Sequence, residues 1–228
     1  EALAGLYLLT RTGVFDHRLT RLGDYLRLCR VALLSALVSA SVGNASLWLA
    51  GLLPAEAIAH NFLMWWQGDV FGFILVTPLI LVWRQLPDGW IRQRRSLETL
   101  TCFALALLVG QIIFMGWFHE ALGGFGRPYV MFVFVAWAAV SFGLHGASLL
   151  LGIVALQALV GSFLGEGDFA AQFARSDLSG FWLYMLVLSV VGMALAVVTA
   201  ERMKVEQSLS TANDNLAGRE ALLQQIQD

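Results

Sequence analysis

Residues 62–83 read FLMWWQGDVFGFILVTPLILVW, 22 residues with a single charge, Asp69. A bilayer core is crossed by about 20 apolar residues of helix. In lipid a crossing segment has to satisfy its own backbone hydrogen bonds, so the stretch predicts a transmembrane α-helix. Gly68-x-x-x-Gly72 inside it is the small-residue spacing of helices packed closely in lipid. Similar apolar segments lie at 31–53, 100–118, 129–146, 147–164 and 181–200, giving six complete spans, and residues 1–10 look like the end of an earlier one. The fourth and fifth form one apolar run, divided at Gly143-Leu144-His145-Gly146, where two glycines and a histidine suit a tight turn. The expected fold class is therefore all-α, a polytopic transmembrane helical bundle.

Composition agrees. Of 228 residues 58% are hydrophobic and 13% charged, with mean hydropathy +0.72. A typical soluble domain is about 25% charged. These values exclude a disordered chain, a coiled-coil rod and an ordinary soluble enzyme. The net charge of −2 gives no basic field for nucleic acid. Cys29 and Cys102 make neither a disulfide framework nor a metal spacing, and no two of His17, His60, His119 and His145 share a helix at ligand spacing. No metal and no cofactor are expected. The chain opens on an apolar run at Glu1 and stops at Asp228 inside a helical pattern, and reads as a fragment of a longer protein.

Orientation follows from Lys and Arg. With the loop at 84–98 in the cytoplasm, Arg11, Arg18, Arg21, Arg27, Arg30, Arg84, Arg92, Arg94, Arg95, Arg202, Lys204 and Arg219 lie inside, and only Arg127 and Arg175 lie outside. The C-terminus is then cytoplasmic, in a multi-pass protein whose partner is the lipid bilayer. Trp48, Trp65, Trp66, Trp117 and Trp182 fall toward the outer face and Trp83 and Trp90 toward the inner one, an aromatic belt. Residues 14–30, with Phe15, Leu19, Leu22 and Leu26 among arginines, read as an amphipathic helix on the cytoplasmic surface.

After the last span, Val198, Arg202, Val205, Leu209, Ala212, Leu216, Arg219, Leu223 and Ile226 alternate by four and three. This is a coiled-coil seam, and it predicts a homodimer through residues 198–226. The expected division is an integral membrane domain over 1–200 and a cytoplasmic signalling helix over 201–228.

Asp69 lies about seven residues into its span, and an intramembrane carboxylate is a functional candidate by default. The structural alternative is that it locks helices together. Counted from the outer ends of their spans, Asn44, Gln111 and Gln157 reach similar depths, and Glu1 lies nearer the midplane. Such a layer either lines a ligand cavity open to the outside or holds helices together through hydrogen bonds of about 0.6 kcal/mol each. The Gly68-Asp69 step also invites comparison with intramembrane aspartyl proteases. That chemistry needs two carboxylates in one site, and no second Asp lies in another complete span. No catalytic residue is assigned.

Several ordered pieces carry a resemblance over about residues 1–205. They are Glu1-Ala2-Leu3-Ala4-Gly5-Leu6-Tyr7-Leu8-Leu9, Ser46-Leu47-Trp48-Leu49-Ala50-Gly51, Trp65-Trp66-Gln67-Gly68-Asp69-Val70-Phe71-Gly72 with Thr77-Pro78-Leu79-Ile80-Leu81, Phe142-Gly143, Gly165-Glu166-Gly167-Asp168-Phe169 and Glu201-Arg202. Together they resemble a bacterial membrane-associated sensor domain of the first MASE type. Ser141 stands where that family often has Arg. The resemblance implies a sensory domain joined to a histidine kinase or to a GGDEF or EAL enzyme of cyclic di-GMP signalling. It implies an unknown small ligand or a partner membrane protein as the signal. Trp66, Gly68, Asp69, Gly72 and Pro78 carry over as motif positions. The competing reading is a transporter or channel subunit with a polar intramembrane site, which gives the tail no task.

Overall fold

The computed structural model describes residues 2–11, 15–85, 93–117, 127–175 and 178–227, with the side chains at 93–95 and 218–227 outside the description. Seven α-helices are described: α1 (Ala2–Arg11), α2 (Leu22–Leu49), α3 (Ile58–Trp83), α4 (Gln93–Phe114), α5 (Met131–Leu164), α6 (Ala170–Ala174) and α7 (Ser179–Gln227). No strand occurs among the described residues. Among the described residues, five stretches are long and apolar enough to cross a membrane: Leu22–Leu49, Ala55–Trp83, Ser96–Phe114, Pro128–Leu164 and Ser179–Ala217.

The fourth of these takes in both segments expected at 129–146 and 147–164. Its helix is interrupted at Gly143, where φ is 62° and ψ −149°. L side chains do not adopt that combination without strain, so glycine is required there. Around the break the chain reverses. A Cβ on Gly146 would stand 3.0 Å from the Ala138 carbonyl oxygen. Eight residues of unbroken helix would separate those levels by about 12 Å. The two arms of α5 therefore lie side by side, with Gly146 pressed on Phe142. The second arm ends at Gly165, left-handed at φ 81°, and the Glu166 N–H donates to the Gly161 carbonyl at 2.8 Å.

α5 is the hub, packed against α3, α4, α6 and α7. α2 joins α1, α3 and α7 on one side, and α4 packs chiefly on α5 on the other. Small residues make the closest approaches. A Cβ on Gly43 of α2 would lie 2.5 Å from the Trp65 ring, and one on Gly161 of α5 2.7 Å from the Phe114 carbonyl carbon. Gly192 of α7 lies against Val135. Gly68 and Gly72 behave differently: nothing lies within 4 Å of a Cβ at either. This Gly-x-x-x-Gly therefore makes no close helix contact among the described residues of the single chain.

Residues 14–30 differ from the amphipathic surface helix expected there. Residue 14 is outside the described residues, and 15–30 form no separate surface helix. Asp16 organises a turn, its carboxylate accepting from the Arg18 N–H at 2.9 Å, from the Thr20 N–H at 3.4 Å and from the Thr20 hydroxyl. Leu19, at φ 51°, is driven wholly into the core. α2 then starts at Leu22, nine residues before the expected span, with Tyr25, Leu28 and Cys29 buried. The spacing of Phe15, Leu19, Leu22 and Leu26 reflects burial of a turn and a helix end, which periodicity alone does not tell from one amphipathic helix. Arg27 donates to the Leu9 carbonyl, one of the unpaired acceptors at the end of α1.

α7 runs unbroken for 49 residues. Its first part is packed through Phe181, Met185, Leu188, Met193, Ala196 and Val197, and from Arg202 to Ala217 every residue is exposed.

Candidate functional site

α2 and α3 run antiparallel. Gly43 meets Trp65 near one end of their seam, while Gly5 of α1, Ser35 and Phe73 meet further along. Asp69 is one helical turn from both Trp65 and Phe73, so it lies on the α3 face turned toward α1 and α2. By the same register Ser39 of α2, midway between Ser35 and Gly43, is level with it. Small residues at Gly5, Ser35, Ser39 and Gly43 line this face. Asp69 is half-buried, and its Oδ2 is buried without a hydrogen-bond partner. A buried acceptor lacking a donor is unfavourable by about 1–3 kcal/mol. A cation or a hydroxyl-bearing ligand would satisfy it.

The neighbouring motif positions act on other faces. Trp66 turns inward, its indole N–H donating to the Leu33 carbonyl at 3.1 Å and its ring 5.8 Å from that of Trp182. The Gln67 Oε1 is also buried without a partner. Pro78 is buried inside α3, where it removes the hydrogen bond to the Ile74 carbonyl and disfavours a straight helix.

The other polar candidates do not share one level. Asn44 is buried five residues before the end of α2, where it donates to the Ala40 carbonyl at 2.8 Å and accepts from Asn61 at 3.0 Å. A cavity of about 230 Å³ opens beside it, between Ser41, Trp48 and Phe62. Gln157 lies on the opposite side of the bundle. Its amide donates to the Leu107 carbonyl at 3.0 Å across the surface of Gly110, and its Oε1 is unpartnered. Gln111 is in the last turn of α4, because that helix ends at Phe114 and not near 118. Among the described residues, Asp69, Asn44, Gln111 and Gln157 make no hydrogen bond to one another. Glu1 lies outside the described residues.

Two features escape the sequence reading. Asn61, the partner of Asn44, stands one residue before the apolar stretch at 62–83, so a depth count starting at Phe62 omits it. An aromatic cluster closes the end of the bundle near Phe114. Phe169 stacks on Phe114 at 6.3 Å, Tyr184 packs on both, and the Tyr184 hydroxyl donates to the Pro128 carbonyl at 2.8 Å. The α6 residue Gln172 accepts from the Phe181 N–H at 3.1 Å, satisfying one donor at the start of α7.

At the opposite, arginine-rich end, the 15–21 turn meets the point where α7 leaves the bundle. Partial burial disfavours the Asp16 charge. The Thr20 hydroxyl, the Arg18 and Thr20 amides and the charge of Lys204 outweigh it and hold the carboxyl below its ordinary range.

No curated protein and no solved structure matches the chain. A family model does, that of MASE1, over residues 1–203. With its apolar helices and its Asp69 motif in place, the chain belongs to the MASE1 family of membrane sensory domains.

Proposed function

We propose that this sensory domain reports on a signal in or outside the membrane and passes it through α7 to a cytoplasmic output domain. That output is a histidine kinase or an enzyme that makes or degrades cyclic di-GMP. In this reading residues 1–200 sit in the inner membrane with six crossings, the two arms of α5 counting as two, and residues 201–228 enter the cytoplasm. The observation that carries the reading is the continuity of α7. One helix packs on α2, α3 and α5 and then leaves the bundle. Its seam residues Val205, Leu209 and Leu216 are each more than half exposed. Apolar residues at that spacing favour a second copy of the same helix. A shift of α7 within the bundle would move the whole seam.

Asp69 is proposed as the residue that makes two bundle arrangements respond differently to the signal. A ligand shifts such an equilibrium only through its difference in affinity for the two states. Asp69→Asn is expected to change basal output or the response while membrane expression stays intact. Lost expression assigns Asp69 to folding instead. The coding sequence in frame past Asp228 tests the larger reading. A kinase, GGDEF or EAL domain there supports it, and an early stop codon leaves α7 nothing to drive.

A further inference from the structure

A cavity of about 430 Å³ opens at the arginine-rich end of the bundle, between the 15–21 turn, the end of α3 and the turn of α5. His17, Arg18, Thr20, Arg84, Gln85 and His145 supply its polar wall, and none of its lining residues among the described ones is acidic. The nearest carboxylate along the chain, Asp16, is engaged by Thr20 and the Arg18 amide. Arg18 and Arg84 are exposed and have no ion-pair partner among the described residues. His145 is fixed in place. Its Nε2–H donates to the Gln85 carbonyl at 2.7 Å, and its ring packs edge-on to Trp83 at 5.5 Å. Trp83 in turn donates to the Ser148 hydroxyl at 3.2 Å. Leu81 and Leu144 add an apolar sill to the same cavity.

We infer that this cavity binds a phosphate-bearing anion, held by Arg18 and Arg84. Guanidinium groups match phosphate oxygens in charge and in paired donor geometry. The volume falls within the range of small-ligand sites. The cavity lies where α3 ends, at Trp83, a residue type that favours the membrane boundary. A phospholipid headgroup and a soluble phosphate ester offer the same anion there, and the leucine sill accommodates the acyl chains of the first. The site is separate from Asp69 and does not depend on that residue's proposed role. Its occupant would also meet the signalling helix indirectly. Thr20 lines both this cavity and a neighbouring one of about 740 Å³ bounded by Glu201, Arg202 and Lys204 of α7.

The test is native mass spectrometry of the whole chain released from neutral detergent. Phosphatidylglycerol and phosphatidylcholine are supplied as probes, with and without millimolar inorganic phosphate. Retention of phosphatidylglycerol several-fold above phosphatidylcholine is expected. It should fall to the phosphatidylcholine level in the Arg18→Gln/Arg84→Gln double variant and persist in Arg30→Gln, an exposed arginine outside the cavity. Displacement of phosphatidylglycerol by phosphate in the wild-type chain supports the site without any variant. Phosphate binding with no lipid preference also supports the site and assigns it to a soluble anion. Equal retention of both lipids with no effect of phosphate overturns the proposal, as does an equal loss in Arg30→Gln.

Discussion

Gly161 and Gly152 stand on the same arm of α5, and the structure assigns opposite consequences to the same added methyl group. A Cβ at Gly161 would lie 2.7 Å from the Phe114 carbonyl carbon and closer still to its oxygen, whereas ordinary contact begins at 3.4 Å. The obstacle is backbone, the end of α4, so no side-chain rotation relieves it. The oxygen sets the larger demand, so α4 has to move by about 1.6 Å to reach ordinary contact. Overpacking of this kind destabilises by about 1–3 kcal/mol, roughly a 5- to 150-fold change in the folded-to-unfolded ratio. At Gly152 the new Cβ would meet only Leu79 Cδ2, at 3.6 Å, an ordinary contact. Helix propensity then favours alanine by up to about 1 kcal/mol. Reversible unfolding of the purified chain in mixed micelles, at matched lipid content, measures both. Gly161→Ala is expected to unfold at lower denaturant than wild type, and Gly152→Ala at the same or higher. Equal stability for the two variants would refute the close α4–α5 packing at Phe114.

Other outcomes follow from the same contacts. Gly68→Ala and Gly72→Ala meet no atom within 4 Å, so each should leave the single chain as stable as wild type or more stable by up to about 1 kcal/mol, and a clear loss of stability would contradict the open space beside them. Asn44→Ala and Asn61→Ala should show a coupling of about 0.6 kcal/mol in a double-mutant cycle, and strict additivity would contradict their hydrogen bond. Asp16 has a lowered folded-state pKa. Its contribution is therefore complete above the ordinary carboxylate range and lost as pH falls through the folded value. Exchange protection of the Arg18 and Thr20 amides should survive at neutral pH, fall on acidification below that range, and be absent at every pH in Asp16→Asn.

The apolar helices were legible because lipid leaves a crossing segment few alternatives, and residues 62–83 already carry the length and the near-absence of charge. The reversal within 129–164 was legible as well, since Gly143 is the residue type a left-handed break requires. Helix ends were less so. α2 begins nine residues early because the Asp16 turn sends Leu19 into the core, and sequence spacing does not register a turn with that effect. The grouping of Asp69, Asn44, Gln111 and Gln157 rested on depth alone. Depth gives no azimuth around a helix, so Asn44 and Gln157 proved to be on opposite sides of α5. The lack of a close helix contact at Gly68 and Gly72 was hidden for the same reason: the spacing marks a groove without saying which neighbour fills it. Asp69 combines a charge placed where the composition is most apolar with an Oδ2 that is buried without a hydrogen-bond partner.

In the proposed function, α7 joins the bundle and the tail in one element that a change near Asp69 can move. Single cysteines placed in turn from 203 to 217 and oxidised in native membranes test it most directly, because the native Cys29 and Cys102 are buried. Intermolecular cross-links are expected to peak at Val205, Leu209, Ala212 and Leu216, with relative heights that change when Asp69→Asn is added. Uniform cross-linking with no period, or a periodic pattern indifferent to Asp69→Asn, would contradict the claim.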